Sequence, residues 1–586
     1  MGARGSHISG ENLMSLHRKT GSGLRTYLAV GLASIIAAST VSSAASAATT
    51  PKSGGEATIA IHQKFAGFCF TTTTLVGPTL GAASSIIEPL FTKTPTGEAV
   101  GFLAQSAKPS TDFKTWTITL RPNISFTNGQ AFNADAVIEN LDNMRGAKYL
   151  TGGAAKLWTL SGGVAGFANV LSVRKIDDLT VGIDLFKPQN DLDVQLTSAY
   201  MRASTSLATS SACVNNPVGT GPFTLSSWLP DELVVTRNPN YWRTDPNNPS
   251  VKLPYLDRLV FIVVAEGSQR AAAVRKGTVD AALMWGKTEN TFIKDLKQRK
   301  SVVKVFDTPI HYFPSVWLNQ GNGGPFSDIN ARQAVVHCID RVNFNKVRLK
   351  GQGEVPKSIV GSQNVLYNPA GYPAYDVELA KSYVTQYLTA NPTKTSLSFT
   401  VPFNGSTTEQ SNAAFLKNTF AKCNITMNVV TEEDTVWAAK AFNVLTGKNA
   451  YDMVFTGLIT ETDAAINFPF LATNAFPADS TNPLKIFKGT LGYIGNLGKH
   501  TDTKVDDLLW QARSATTPAG VKAAYKAVTA EIQSQALFTS VVNFRWAFVT
   551  NNKSKLTGVG TLQVVKGKKV RPVTAQGADW AGLHKG

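Results

Sequence analysis

No stretch of this 586-residue sequence carries the ~20 consecutive apolar residues that cross a bilayer as a helix. The longest such run, Tyr27 to Ala38, is too short. Charge is scarce at 17%, yet basic residues outnumber acidic ones, 57 to 40, for a formal net charge of +17. A nucleic-acid binder gathers such charge on one stripe or helix. Here the clusters are short, Lys297-Gln-Arg-Lys300 and Lys566-Gly-Lys-Lys-Val-Arg571, and read as solvated surface, so no nucleic-acid partner is expected. The seven histidines stand singly and the four cysteines form no C-x-x-C pair, so no metal site is expected. Catalytic signatures are missing too: no G-x-S-x-G, no P-loop, no H-E-x-x-H. Gly219-Thr-Gly221 and Gly351-Gln-Gly353 lack the third glycine of a dinucleotide fingerprint, and no cofactor is expected. Glycoside-hydrolysing carboxylate pairs are set by folding rather than spacing. Glu432-Glu-Asp434 and Glu461-Thr-Asp463 are the candidates for one, with surface acids as the competing reading.

What is present begins with an export signal. Arg18, Lys19 and Arg25 precede the apolar run, and Ala45-Ser-Ala47 supplies a small-residue cleavage site, so residues 1–48 read as a secretory segment with an extension before Met14. The cleavage site carries no lipobox cysteine, the first cysteine being Cys69, so a periplasmic, extracellular or surface-associated protein without that lipid anchor is expected. The remaining ~540 residues exceed what one hydrophobic core organises, roughly 250–300, and at least two domains follow. An oxidising compartment favours disulfides. Four cysteines allow three pairings. Cys69 with Cys213 and Cys338 with Cys423 is the expected set, against four buried thiols as the alternative.

Strand and helix patterns alternate along the chain as an α/β architecture requires. Residues 56–62 alternate as a strand; Asn133 caps a helix carrying Val137, Leu141 and Met144; residues 171–176 and 179–185 form a hairpin around Asp177-Asp178. Thr407-Thr-Glu-Gln410 is a capping box before Leu416, Phe420 and Cys423, and Thr517-Pro518 opens a helix with Val521, Tyr525, Val528 and Ile532 in its core stripe. Strands are expected at 259–264, 397–402, 425–430 and 452–456. In Pro217-Val-Gly-Thr-Gly-Pro-Phe223, followed by Arg237-Asn-Pro-Asn-Tyr-Trp242, the glycines admit unusual backbone and Pro222 fixes φ. That chemistry suits a hinge or crossover.

These blocks occur in order with Glu88-Pro-Leu-Phe91, Leu103-Ala-Gln-Ser106, Trp116-Thr-Ile-Thr-Leu-Arg121, Phe126-Thr-Asn-Gly-Gln-Ala-Phe132, Pro254-Tyr-Leu-Asp257, Gly277-Thr-Val-Asp280, Ala331-Arg-Gln-Ala334 and Ile339-Asp-Arg341. The chain thereby resembles family 5 of the bacterial extracellular solute-binding proteins, the oligopeptide, dipeptide and nickel receptors of ATP-binding-cassette (ABC) importers. The resemblance implies a two-lobed periplasmic-binding-protein-like α/β fold of type II, cluster C, with an extra subdomain. Lobe I would comprise residues 49–94, 213–309 and 541–586, the subdomain 95–212, and lobe II 310–540. It also implies a monomer that closes on a peptide or other small solute, meets the membrane only through ABC permease subunits, and is no enzyme.

Aromatic walls and a few fixed polar groups suit such a cleft. The candidates are Phe68, Trp285, Tyr312, Phe313, Trp317, Asn319, Arg545 and Trp546, with buried core aromatics as the competing reading for Tyr312, Phe313 and Trp317. Peptide receptors of the family hold the ligand's amino terminus with an aspartate just after the strand matched here by 452–456. This chain reads Gly457-Leu-Ile-Thr-Glu-Thr-Asp463, with Leu458 at the matching place and Glu461 or Asp463 as substitutes, so neutral, capped or anionic solutes stay open. A secreted carboxylate-based hydrolase and a receptor-like adhesion or sensory protein are the alternatives.

Overall fold

The computed structural model describes residues 51–69, 78–94, 97–145, 167, 169–308, 314–433, 436, 440, 450–457, 468–473, 496–559, 564–565, 568–569, 573–574 and 577–586. The expected secretory segment lies outside them. The main strands of the first half are β1 (Glu56–Ile61), β2 (Ala104–Pro109), β3 (Thr115–Leu120), β4 (Val170–Asp177), β5 (Thr180–Leu185), β6 (Phe223–Leu229), β7 (Glu232–Arg237), β8 (Arg258–Val263), β9 (Ala281–Met284) and β10 (Val303–Asp307). Helices α1 (Ala134–Met144), α2 (Gly267–Lys276) and α3 (Gly286–Gln298) lie between them. The second half supplies β11 (Ser315–Leu318), β12 (Leu397–Phe403), β13 (Ile425–Thr431), β14 (Met453–Thr456), β15 (Phe538–Ser540) and β16 (Ala547–Asn551). Its helices are α4 (Ile329–His337), α5 (Val377–Ala390), α6 (Thr407–Ala421), α7 (Thr503–Ser514) and α8 (Pro518–Ser534).

Among the described residues seven strands form the largest sheet, in the order β6-β7-β8-β1-β9-β16-β10, with β1 parallel to both neighbours and β16 antiparallel to both of its own. Alternation along each strand places side chains on opposite faces. Ile59, Leu283 and Phe548 enter one core, while Ala60, Met284 and Val549 enter a second core shared with Val274 of α2 and Ile293 and Leu296 of α3. A four-stranded antiparallel sheet, β2-β3-β5-β4, packs against α1, whose cap is as expected: Ala136 N donates to Asn133 Oδ1 at 3.1 Å. In the three-stranded sheet β14-β11-β15, Val316 and Leu318 point into a core with α4 and α6, and Trp317 points oppositely into one with α7 and α8. The cap of α6 falls one residue earlier than expected, at Ser406, whose hydroxyl accepts from Glu409 N at 3.3 Å. Cys69–Cys213 and Cys338–Cys423 are both bonded, with Cα separations of 5.1 and 6.3 Å. Among the described residues no helix is long and apolar enough to cross a membrane.

The Gly-Thr-Gly-Pro turn works as a close-packing device instead of a hinge. Gly221 N donates to Ile86 O at 2.8 Å and Phe223 N to Ser85 O at 2.9 Å, and a Cβ on either glycine would overlap Ile86 O. This approach delivers Thr220 to Glu88, a carboxylate only 3% exposed. Glu88 accepts from Thr220 Oγ1 at 2.9 Å, Tyr241 OH at 2.5 Å and Trp242 Nε1 at 2.8 Å. Burial pushes its carboxyl up to about 7 despite those donors and the Arg243 charge. Arg243 in turn pairs with Asp579 at 3.0 Å, fastening the C-terminal residues to this knot.

Candidate functional site

Open α/β sheets bind ligands beyond the carboxyl ends of their parallel strands. At that edge here β1 ends at His62, β8 runs into Val264 and Ala265, β9 ends at Trp285, β10 leads to Thr308, and Trp546 precedes β16. Three of these side chains form an aromatic shelf. His62 stacks on Trp285 (centroids 5.1 Å, 8° between planes), Trp285 on Trp546 (5.9 Å, 25°), and His62 and Trp546 are 5.6 Å apart. Trp285 is half-buried and packs against two cores at once, that of the seven-stranded sheet and that holding β11, β14 and α4.

Beneath the shelf lies a buried ion pair. Arg270 of α2 is fully enclosed; it donates to Leu283 O at 2.9 Å, Ala265 O at 3.1 Å and Val264 O, so one guanidinium ties the carboxyl ends of β8 and β9. Its remaining nitrogen meets Glu289 of α3, whose other oxygen accepts from Trp285 N at 2.8 Å and so fixes the backbone that presents the indole. Burial raises the Glu289 carboxyl above its ordinary value, against the pull of Arg270. Burial and the Arg270 charge drive the His62 imidazole down to about 3, leaving the ring neutral at physiological pH. Arg545, next along the chain from Trp546, is exposed.

The same edge is where the chain passes between sheets. β10 leads to β11 and β15 leads to β16, and the two connections are bonded to each other at both ends. Thr308 N donates to Trp546 O at 2.9 Å and Trp546 N to Thr308 Oγ1 at 3.0 Å; further on, Val541 N donates to Pro314 O at 2.8 Å. The second connection is held from outside by Glu354 and Asn543, which exchange backbone bonds of 2.8 and 2.9 Å.

Of the residues expected to line a site, Trp285 and Trp546 are thus brought together, Trp546 being only 5% exposed and part of the core of the seven-stranded sheet, and Arg545 adjoins Trp546 in sequence. Phe68 is fully buried, edge-on to Trp228 at 5.6 Å, one residue before the Cys69–Cys213 bridge. Trp317 is 1% exposed, stacked on Phe538 at 4.2 Å, with its indole N–H on Thr456 O at 3.2 Å. Asn319 is equally buried and holds Tyr451 O at 2.7 Å and Gly321 N at 3.0 Å. For these three the placement is that of packing residues, a reading the sequence held open for Trp317. Tyr312, Phe313, Leu458, Glu461 and Asp463 lie outside the described residues. Sequence reasoning missed His62, Arg270 and Glu289. His62 was visible only as the end of an alternating strand, and the Arg270–Glu289 pair had no signal, since it forms only when α2 and α3 pack side by side.

Comparison with known proteins bears on the family and the fold. The profile described as bacterial extracellular solute-binding proteins, family 5 Middle, matches residues 98–478. The glutathione-binding protein GsiB of Pectobacterium atrosepticum is 25% identical over 488 residues, covering 81% of this chain and 86% of that protein. GsiB of Escherichia coli K12 is 25% identical over 473 residues, covering 78% and 82%. Among solved structures, the periplasmic binding protein AgaA of A. tumefacien R10 in complex with agropinic acid superposes with a TM-score of 0.72 at 19% identity, covering 91% of this chain and 99% of that one. DppA of Helicobacter pylori with peptide STSA gives 0.70 at 20% identity, covering 91% and 98%. The fold is that of these periplasmic binding proteins, and the chain belongs to the bacterial extracellular solute-binding proteins, family 5.

Proposed function

We propose that this protein is an exported, monomeric receptor that closes two bodies over a peptide or peptide-like solute and presents the closed form to the permease subunits of an ABC importer. Lobe I comprises residues 49–94, 213–309 and 541–586 with the subdomain 95–212, and lobe II residues 310–540. The observation that carries the reading is the aromatic shelf His62–Trp285–Trp546, set where two mutually bonded connections pass between sheets. Two such connections permit rotation of one body on the other while keeping both in register. Solute contacts made by both bodies favour closure by their differential affinity alone. The solute leaves unchanged; a neutral histidine and two indoles supply burial and stacking, not proton transfer.

Glutathione, agropinic acid and a short peptide, the ligands named for the similar proteins, all carry amide or amino-acid groups, which supports the solute class. Native mass spectrometry of freshly purified protein tests the reading. Retained cargo, rebound by stripped wild type and at least about tenfold more weakly by Trp285→Ala in calorimetry, is expected from burial worth about 1.5–3 kcal/mol. Turnover of that cargo, or equal affinity of the two proteins, would refute it.

A further inference from the structure

Away from the two connections, the loop after β5 reaches the far end of α7. Its own body holds it rigidly: Trp116 Nε1 donates to Gln189 O at 3.1 Å, Gln189 N to Phe113 O at 3.1 Å, and Asn169 brackets Lys187 with bonds of 2.9 and 3.0 Å. From there Asn190 caps a helix that belongs to the other body. Its Nδ2 donates to Ala512 O at 2.9 Å and Ala515 O at 2.8 Å, and its backbone N–H to Arg513 O at 2.9 Å. The last carbonyls of a helix have no partner within it and must find one elsewhere. Here a side chain more than 300 positions away supplies it. Asp191 adds charge, facing Arg513 Nε at 3.5 Å and accepting from Tyr525 OH of α8 at 3.2 Å, and the Lys187 ammonium sits 4.9 Å over the Trp510 ring.

We propose that residues 187–191 and the C-terminal end of α7 form a latch that holds the receptor closed independently of solute. The inference rests on the two-body reading above: rotation about the two connections would pull Asn190 away from α7 and return the carbonyls to water. The latch therefore biases the open–closed equilibrium before any ligand arrives. A receptor biased this way retains its solute longer, because release requires the cap to break as well as the solute contacts.

Small-angle X-ray scattering of full-length, cargo-stripped wild type and Asn190→Ala tests this, with hydrogen exchange of residues 508–516 recorded in parallel. Asn190→Ala keeps the backbone bond to Arg513 and is expected to shift the open-to-closed ratio about tenfold, about 1.4 kcal/mol. The radius of gyration rises and the α7 end exchanges about tenfold faster. Lys187→Ala, an exposed change that leaves every cap bond in place, gives a smaller shift in the same direction and covers the case that Asn190→Ala fails to fold. Faster exchange with unchanged scattering marks a helix cap only and overturns the latch, as does no change in either. Neither outcome touches the receptor reading, which falls instead if wild type neither retains nor rebinds cargo.

Discussion

Replacing Glu88 by Gln should flatten part of the pH dependence of stability. The Glu88 carboxyl titrates at about 7 in the folded protein and at 4.5 when free. Below 4.5 it is neutral in both states and costs nothing. As pH rises toward 7 the unfolded chain ionises while the folded one holds its proton, so stability falls by about 1.36 kcal/mol per unit. The loss stops near pH 7, after about 3 kcal/mol. Glutamine is neutral throughout, keeps one acceptor for Thr220, Tyr241 or Trp242, and forfeits another at about 1–2 kcal/mol. Urea denaturation at pH 4.5 and pH 8 should therefore show wild type ahead at the lower pH and level or behind at the higher. All other titrating groups are common to both proteins and cancel in the difference. A gap between the two that stays constant with pH would refute the reasoning.

Three further outcomes follow from the placements. Trp317→Ala empties a stacked, fully enclosed site against Phe538 and should cost about 3–5 kcal/mol in urea unfolding; a variant as stable as wild type would contradict it. Selective loss of Cys338–Cys423, by Cys338→Ala and Cys423→Ala together, opens a closed loop of 85 residues and should cost about 4.5 kcal/mol, read as a fall in Tm against wild type. Because His62 is neutral down to about 3, solute affinity should show no titration of this residue between pH 5 and 8, and a calorimetric step near pH 6.5 that disappears in His62→Gln would overturn that assignment.

Local signals carried much of the fold into the sequence. The Asn133 cap, the hairpin around Asp177-Asp178 and the Thr517-Pro518 helix start are where short-range chemistry puts them, whereas the two cysteine pairs, 144 and 85 positions apart, were one choice among three pairings and are fixed only by the fold. The Gly219–Pro222 turn stood out equally, yet its purpose was hidden, because the group it approaches is the backbone of Ile86, more than 130 positions earlier. The strand β11 illustrates the same limit. Trp317 alternates with Val316 and Leu318, which tells that they face opposite ways but not which face is a core; here both are. Trp285 was readable as a wall candidate because it follows the apolar run to Met284, and Trp546 because the family resemblance implies a crossing segment there, whereas the ion pair that seats Trp285 depends on how two helices pack.

Closure of two bodies on a solute is the central claim, and scattering from one preparation measured twice tests it most directly. Cargo-stripped protein should have a larger radius of gyration than the same protein reloaded with its released cargo, near the about 24 Å of a compact chain of some 540 residues when loaded. Identical profiles in the two states, with cargo shown by mass to be bound, would contradict the account.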